Sequence, residues 1–177
     1  MHRLTLVFAV LALSGCSATR EQARPGLVAP AASDLSAINA ALDRVYAVIS
    51  GPAGQPRDFV RMKTLFTPDA RLTAIGSRGL SGGTVDDYIA RSGMFLVSSG
   101  FTEKALVNRM EVYGDLAHAW SSYEGFFTNP DGTAGKVRGI NSFQLMRQTD
   151  GRWLVQSIFW QAEAPDRTLP ADMDKAK

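Results

Sequence analysis

The stretch from Lys104 to Gln161 constrains the fold most, because it replaces helical spacing with alternation and keeps it through four consecutive segments. Lys104 to Tyr113, His118 to Thr128, Val137 to Arg147 and Arg152 to Gln161 each read as a strand, rich in β-branched and aromatic residues. Gly114-Asp115, Asn129-Pro130-Asp131-Gly132 and Asp150-Gly151 separate them, and all three are turn signals. Four such strands predict an antiparallel sheet with an apolar face that needs a covering layer.

Side-chain parity assigns the faces. Leu106, Met110 and Val112 share one parity in the first strand, and Asn108 joins them. In the last hairpin, a three-residue loop with Gly151 left-handed places Asn141, Phe143 and Leu145 with Trp153, Val155, Ser157 and Phe159. Leu154, Ile158 and Trp160 then fall on the opposite face, which a second copy or a partner protein would cover.

The covering layer comes earlier in the chain. Leu35, Ile38, Leu42, Val45 and Ile49 recur at helical spacing behind a capping Asp34, and Gly51 to Pro56 ends that helix. Asp58 predicts a second helix with Phe59, Met62 and Phe66 on one face, stopped by Pro68. Arg71 to Ile75 is a short strand, Gly76 to Gly83 a glycine-rich loop, and Thr84 with Asp87 a capping-box variant opening a third helix. Helices first, then a short strand, a third helix and four long strands make an α+β order in one domain of a 177-residue chain.

The N-terminus reads as an address. Met1 to Arg3 carries a positive charge, Leu4 to Leu13 is continuously apolar, and Ser14, Gly15 and Cys16 follow. That run is far shorter than the roughly 20 residues of a membrane-spanning helix. Leu13-Ser14-Gly15-Cys16 resembles the lipobox of bacterial lipoproteins. The resemblance implies a signal peptide over 1–15, lipidation of Cys16 and a lipid anchor in the cell envelope. By resemblance to the lipoproteins of enteric bacteria, Ser17 rather than Asp after the cysteine implies the outer membrane facing the periplasm. Residues 16–33 read as a tether, 34–163 as the folded domain, and 164–177 as a loose polar tail. Cys16 is the single cysteine, so no intramolecular disulfide forms, and a net charge of +2 without a basic run gives no reason to expect nucleic acid.

Four pieces of the chain carry a second likeness: Leu65-Phe66-Thr67-Pro68-Asp69-Ala70, the glycine-rich loop into Val85-Asp86-Asp87-Tyr88-Ile89, Gly114-Asp115-Leu116-Ala117, and Leu145-Met146-Arg147 with Asp150-Gly151-Arg152-Trp153 and Phe159-Trp160. In order and spacing these resemble the NTF2-like superfamily, and within it the SnoaL-like group. The resemblance covers about Leu35 to Glu163. It implies a cone, a curved antiparallel sheet wrapped around N-terminal helices, with a pocket inside and homodimers through the outer sheet face. It does not imply a reaction, since the superfamily holds isomerases, cyclases, hydrolases and members without catalysis.

The pocket candidates are Tyr46, Trp120, Tyr123, Phe143 and Phe159 as an aromatic lining, with Asn108, Asn141 and Ser157 as oriented polar contacts. Each aromatic is equally a core residue, whereas a buried amide must find partners. For acid–base chemistry the sequence offers Glu124, inside an aromatic strand, and His118, the only histidine of the mature chain. Both also read as surface residues, and Asp69, Asp86, Asp87, Glu103 and Glu111 carry no clearer signal. One mature histidine and no mature free cysteine leave no zinc set, and no cofactor is expected. Gly79-Leu80-Ser81-Gly82-Gly83 fits a nucleophile-elbow spacing but lacks the strand leading into the serine. The first reading is a lipid-anchored domain that binds a small, largely apolar molecule. The alternatives are a SnoaL-like isomerase, cyclase or hydrolase, against which the lack of a clear acid–base dyad weighs, and an adaptor docking a partner through its outer face.

Overall fold

The computed structural model describes residues 30–174; Cys16, the signal-like segment 1–15 and residues 16–29 of the expected tether lie outside the described residues.

Helix α1 (Ala32–Ile49) buries Ile38, Leu42, Val45 and Ile49 of the predicted stripe together with Ala41 and Tyr46, while Leu35 at its start is half-buried. It begins just before Asp34, which is therefore a first-turn residue rather than the cap. There its carboxylate complements the helix dipole and pairs with Arg147 at 2.7 Å. Helix α2 (Phe59–Lys63) is a single turn capped by Asp58, whose carboxylate accepts the Arg61 N–H at 2.8 Å.

Strand β1 (Phe66–Gly76) then starts earlier than expected, and Pro68 lies inside it instead of stopping the helix. This is possible because the pairing of β1 with its parallel neighbour is interrupted between Phe66 and Arg71, where no N–H is required of Pro68. The glycine-rich stretch is a strand, not a loop: β2 (Gly79–Gly83) folds back on β1 through Gly79, whose φ of 98° suits glycine. Helix α3 (Val85–Ser98) opens with a reciprocal capping box, Thr84 Oγ1 accepting from the Asp87 N–H at 3.2 Å and Asp87 Oδ2 accepting from the Thr84 N–H at 2.8 Å.

Strands β3 (Thr102–Tyr113), β4 (Leu116–Thr128), β5 (Ala134–Arg147) and β6 (Trp153–Ala162) follow. The sheet order is β2-β1-β6-β5-β4-β3. The sheet expected to be antiparallel is mixed, since β1 runs parallel to β6. The inner face and the helices enclose one core around Leu42, Phe143, Leu145 and Val155.

Two bulges decide which side chains face that core. Close to the Asp150-Gly151 turn, Leu145 pairs with Val155 as the three-residue loop predicts. Past Gln156 the register shifts by one, and Phe143 pairs with Ile158. Ile158 and Trp160 therefore turn inward, whereas Ser157 and Phe159 turn outward, the reverse of the expectation from parity. In β3 the register shifts between Ala105 and Val107, so Glu103 and Asn108 occupy the same inner face despite opposite parity.

Arg57 closes one end of the cone. It is buried, and its guanidinium donates to the carbonyls of Ile49 at 3.1 Å, Gly51 at 2.5 Å, Gln55 at 2.5 Å and Leu96 at 2.8 Å. Ile49 and Leu96 lie at the C-terminal ends of α1 and α3, where carbonyls lack helical partners and favour a cation. The stretch from Ala164, expected to hang loose, packs through residue 174. Ala164 bridges Arg167, Met173 is fully buried, Asp172 pairs with Arg109, and Asp174 lies 2.6 Å from Arg138.

Candidate ligand-binding cavity

Between the inner sheet face and the helices lies a cavity of about 260 Å³. Its wall is mostly apolar and aromatic, with Phe66, Phe101, Phe143 and Ile158 among the residues facing it. Tyr46 comes from α1, Tyr88 from α3, Tyr123 from β4 and Trp160 from β6. Tyr88 meets Trp160 edge to face, with ring centroids 6.3 Å apart at 78°. Gly139 leaves room for this arrangement. A Cβ there would stand 2.7 Å from the Tyr123 hydroxyl and 2.3 Å from the Gln161 carbonyl oxygen.

One carboxylate faces this apolar space, that of Glu103. Burial pushes its pKa from 4.5 up to about 7, against the opposing hydrogen bond from Asn141 Nδ2 at 3.3 Å. Among the described residues Glu103 has no ion-pair partner. The tyrosines around it respond in kind: burial, followed by the charge of Glu103, raises Tyr46, Tyr88 and Tyr123 above the ordinary phenol range.

The Asn141 amide is one link in a chain of polar side chains whose direction can be deduced. The chain ends on α1, where the Leu35 carbonyl oxygen only accepts, so Asn39 presents its NH₂ there, at 3.0 Å. Asn39 Oδ1 therefore faces Asn108, which donates to it at 2.9 Å. Asn108 Oδ1 in turn accepts from Ser121 Oγ at 2.6 Å. The single hydroxyl proton of Ser121 is thereby committed, so in the 2.7 Å contact Tyr46 is the donor. The Tyr46 oxygen is left to accept, and Asn141 Nδ2 supplies that bond at 3.1 Å. A helix carbonyl on α1 thus fixes which side of the Asn141 amide looks at Glu103, and it is the N–H side.

Of the residues singled out from sequence, Tyr46, Tyr123, Asn141 and Phe143 line the cavity. Asn108 stands behind the wall as a link in the polar chain. Trp120, Ser157 and Phe159 do not reach it. Trp120 and Phe159 lie on the outer face, 41% and 44% exposed, where Phe159 pairs with Ser142 because of the β6 bulge. Ser157 pairs with Gln144 on that same face. The two catalytic candidates are also outside the cavity. His118 Nε2 contacts Ser142 Oγ at 3.1 Å beside Trp120, and Glu124 is ion-paired with Lys136 at 2.6 Å. Glu103, Tyr88 and Trp160 are the cavity residues that sequence reasoning missed. No local signal marks Glu103, because Leu106, Asn108, Met110 and Val112 alternate without a break and conceal the bulge.

No protein-family model matches the sequence, and no curated protein matches it as a relative. Solved structures do. An NTF2-like protein with a cystatin-like fold from Novosphingobium aromaticivorans superposes with a TM-score of 0.58 at 18% identity, over 80% of this chain and 86% of the other. A nuclear transport factor 2 (NTF2-like) superfamily protein from Salmonella enterica gives 0.54 at 19% identity, over 75% and 89%. An NTF2-like protein of unknown function from Methylobacillus flagellatus gives 0.54 at 16% identity, over 78% and 98%. At these identities the likeness is one of fold, and the fold is NTF2-like: a curved mixed sheet wrapped around helices, with a cavity capable of holding a small molecule.

Proposed function

With the NTF2-like fold as the premise, we propose that the domain holds a small, largely apolar molecule in the cavity, oriented by the single polar corner of Glu103 and Asn141. One observation carries this reading: a lined space of about 260 Å³ in which a mostly apolar and aromatic wall, with Ser92 and the tyrosine hydroxyls as its other polar groups, presents one carboxylate and one amide of fixed orientation. The test is native mass spectrometry of the full-length protein, gently purified from its own host. A reproducible extra mass that disappears in Asn141→Leu, in a variant that stays folded, supports the reading. The same mass retained in Asn141→Leu counts against it.

A second reading is favoured by Glu103 itself. A carboxyl group whose pKa lies at about 7 exchanges a proton readily at neutral pH, so the cavity is also suited to moving a proton on a bound carbonyl compound. Once a substrate is in hand, Glu103→Gln removes turnover and leaves binding; turnover that persists excludes this chemistry.

We also propose that a lipid on Cys16 anchors the protein in the cell envelope. Cys16→Ala should leave the protein in the soluble fraction, and a membrane-bound variant would end the lipid-anchor reading. Association through the outer sheet face, with a second copy or an adaptor partner, is proposed on different residues than parity suggested. Trp120, Phe126, Met146 and Phe159 are exposed, whereas Ile158 and Trp160 face the cavity side.

A further inference from the structure

We propose that the cavity is a receptor for an organic ammonium group: its ligand is an apolar skeleton carrying one protonated amine, seated against Glu103 and the rings of Tyr88, Tyr123 and Trp160. This rests on the small-molecule reading above and names the chemistry of that same site.

The first support is a charge without a counter-charge. Glu103 faces the cavity, accepts one hydrogen bond, from Asn141, and has no cationic partner among the described residues. The cations nearby are engaged elsewhere. Arg57 is surrounded by backbone carbonyls, and the Arg91 guanidinium donates to the Leu72 carbonyl at 3.2 Å and lies 5.5 Å from the centre of the Tyr88 ring. A half-buried carboxylate against an aromatic wall is costly in this state, and a cationic ligand removes the cost.

The second support is the direction of the polar chain. A protonated Glu103 would be served best by a carbonyl acceptor. The chain from the Leu35 carbonyl turns the N–H side of Asn141 to the carboxyl instead, and that favours the ionised form. The site is built for a carboxylate, and a carboxylate in an aromatic enclosure pairs with an ammonium.

The third support is the wall. Tyr88 and Trp160 meet at a near right angle, and Tyr123 completes an aromatic surround. Aromatic rings attract cations within about 6 Å of their centres and accept the alkyl part of the ligand equally well. Other occupants fit less. An inorganic calcium ion needs about six or more oxygen ligands, and the cavity offers one carboxylate. An anionic ligand would meet the charge of Glu103 directly.

The titratable groups that respond to Glu103 are the three tyrosines of the cavity wall. Glu103 acts on Tyr46 of α1, Tyr88 of α3 and Tyr123 of β4, and behind these stand Asp43, which acts on Tyr46, Arg91, which acts on Tyr88, and Glu163, which acts on Tyr123. The tyrosines are raised, so Glu103 is the group of the cavity wall that titrates near neutrality.

The experiment uses a shape-matched pair of probes, cyclohexylmethylamine and cyclohexylmethanol, titrated into the full-length protein and followed by calorimetry. At about pH 8 the amine should bind about tenfold or more tighter than the alcohol, the size of a charge-assisted contact. In Glu103→Gln the ratio of amine to alcohol affinity should fall to about one. Should this variant fail to fold, the pH profile of the wild type decides. Amine affinity should fall by about tenfold between about pH 8 and about pH 5.5 as Glu103 protonates, with alcohol affinity nearly flat. Equal binding of both probes, a preference that survives in Glu103→Gln, or a flat amine profile would overturn the proposal and leave the cavity reading standing. Binding of neither probe would count against the cavity reading itself and take this proposal with it.

Discussion

Glu103 and Glu124 stand almost beside each other on the β3–β4 ladder, on opposite faces of one sheet. Glu103 is paired across to Gly125, and Glu124 to Lys104. Both are withdrawn from solvent, and their surroundings differ completely. Glu124, with a side chain only 8% exposed, is met by Lys136 at 2.6 Å and by Arg138 at 3.7 Å, and Arg138 continues to Asp174 at 2.6 Å. Glu103 has one amide hydrogen and a cavity. Burial alone therefore does not mark a functional carboxylate. The outer one is neutralised inside the fold and ties β4, β5 and the C-terminal segment together. The inner one is left for something that the chain does not supply.

The largest effect should come from breaking the outer cluster. Glu124→Ala leaves Lys136 and the mostly buried Arg138 without their shared anion, and because Lys136 is half exposed and Arg138 keeps Asp174 the expected loss of stability is about 2–3 kcal/mol by chemical denaturation. The inner carboxylate should answer with the opposite sign. Its folded pKa of about 7 lies above the ordinary 4.5, so below about pH 4.5 the group is protonated in both states and contributes nothing. As pH rises from about 4.5 to about 7 the unfolded chain ionises while the folded one resists, so stability falls across that window and levels off above it. The shift corresponds to about 3 kcal/mol at most, and the partial exposure of the side chain reduces this to about 2 kcal/mol. Glu103→Gln should therefore stabilise the protein by about 2 kcal/mol at about pH 8 and leave it unchanged at about pH 4. A variant less stable than wild type at both pH values would mean that Glu103 holds a structural partner after all.

This contrast was half legible in the sequence. The apolar stripe of α1, the Thr84–Asp87 capping box and the four long strands follow from spacing and turn chemistry, because those signals are local. Parity also placed Asn141, Phe143 and Leu145 on one face, and Tyr123 joins that face because β4 and β5 pair without interruption from Leu116 to Thr128. It failed where a single extra residue enters. Leu106 in β3 and Gln156 in β6 are ordinary strand residues, and nothing in their chemistry announces a bulge. Each nonetheless inverts the facing of everything beyond it, which hid Glu103 and Trp160 and misplaced Ser157 and Phe159. Trp120 was misplaced for another reason. Its strand alternates fully buried Ala117 and Ala119 with larger residues, and the small side chains take the inner face while the tryptophan faces out.

A smaller effect should follow from cutting the polar chain at its far end. Asn39→Leu removes the acceptor for Asn108 and the anchor on the Leu35 carbonyl, and the expected cost is about 1 kcal/mol. Its diagnostic consequence lies elsewhere. With the direction of the chain no longer imposed, the Asn141 amide is free to turn its oxygen toward Glu103. The carboxyl pKa, followed by NMR, should then rise further above about 7. An unmoved pKa would show that Asn141 is oriented by its immediate neighbours alone.

The smallest effect sharpens the two-face comparison at its most exposed point. Phe159 and Trp160 are adjacent in β6, and the bulge at Gln156 sends the first outward and the second toward the cavity. Phe159→Ser should cost less than about 1 kcal/mol in the isolated protomer, because the ring is 44% exposed and leaves no closed void behind. Trp160→Ala removes the edge-to-face partner of Tyr88 and part of the cavity wall, so it should cost more and weaken any cavity ligand. If the order were reversed, the unbulged register would be the correct one. Phe159 would then face the cavity, and the inner face would have to be redrawn from the Asp150-Gly151 turn onward.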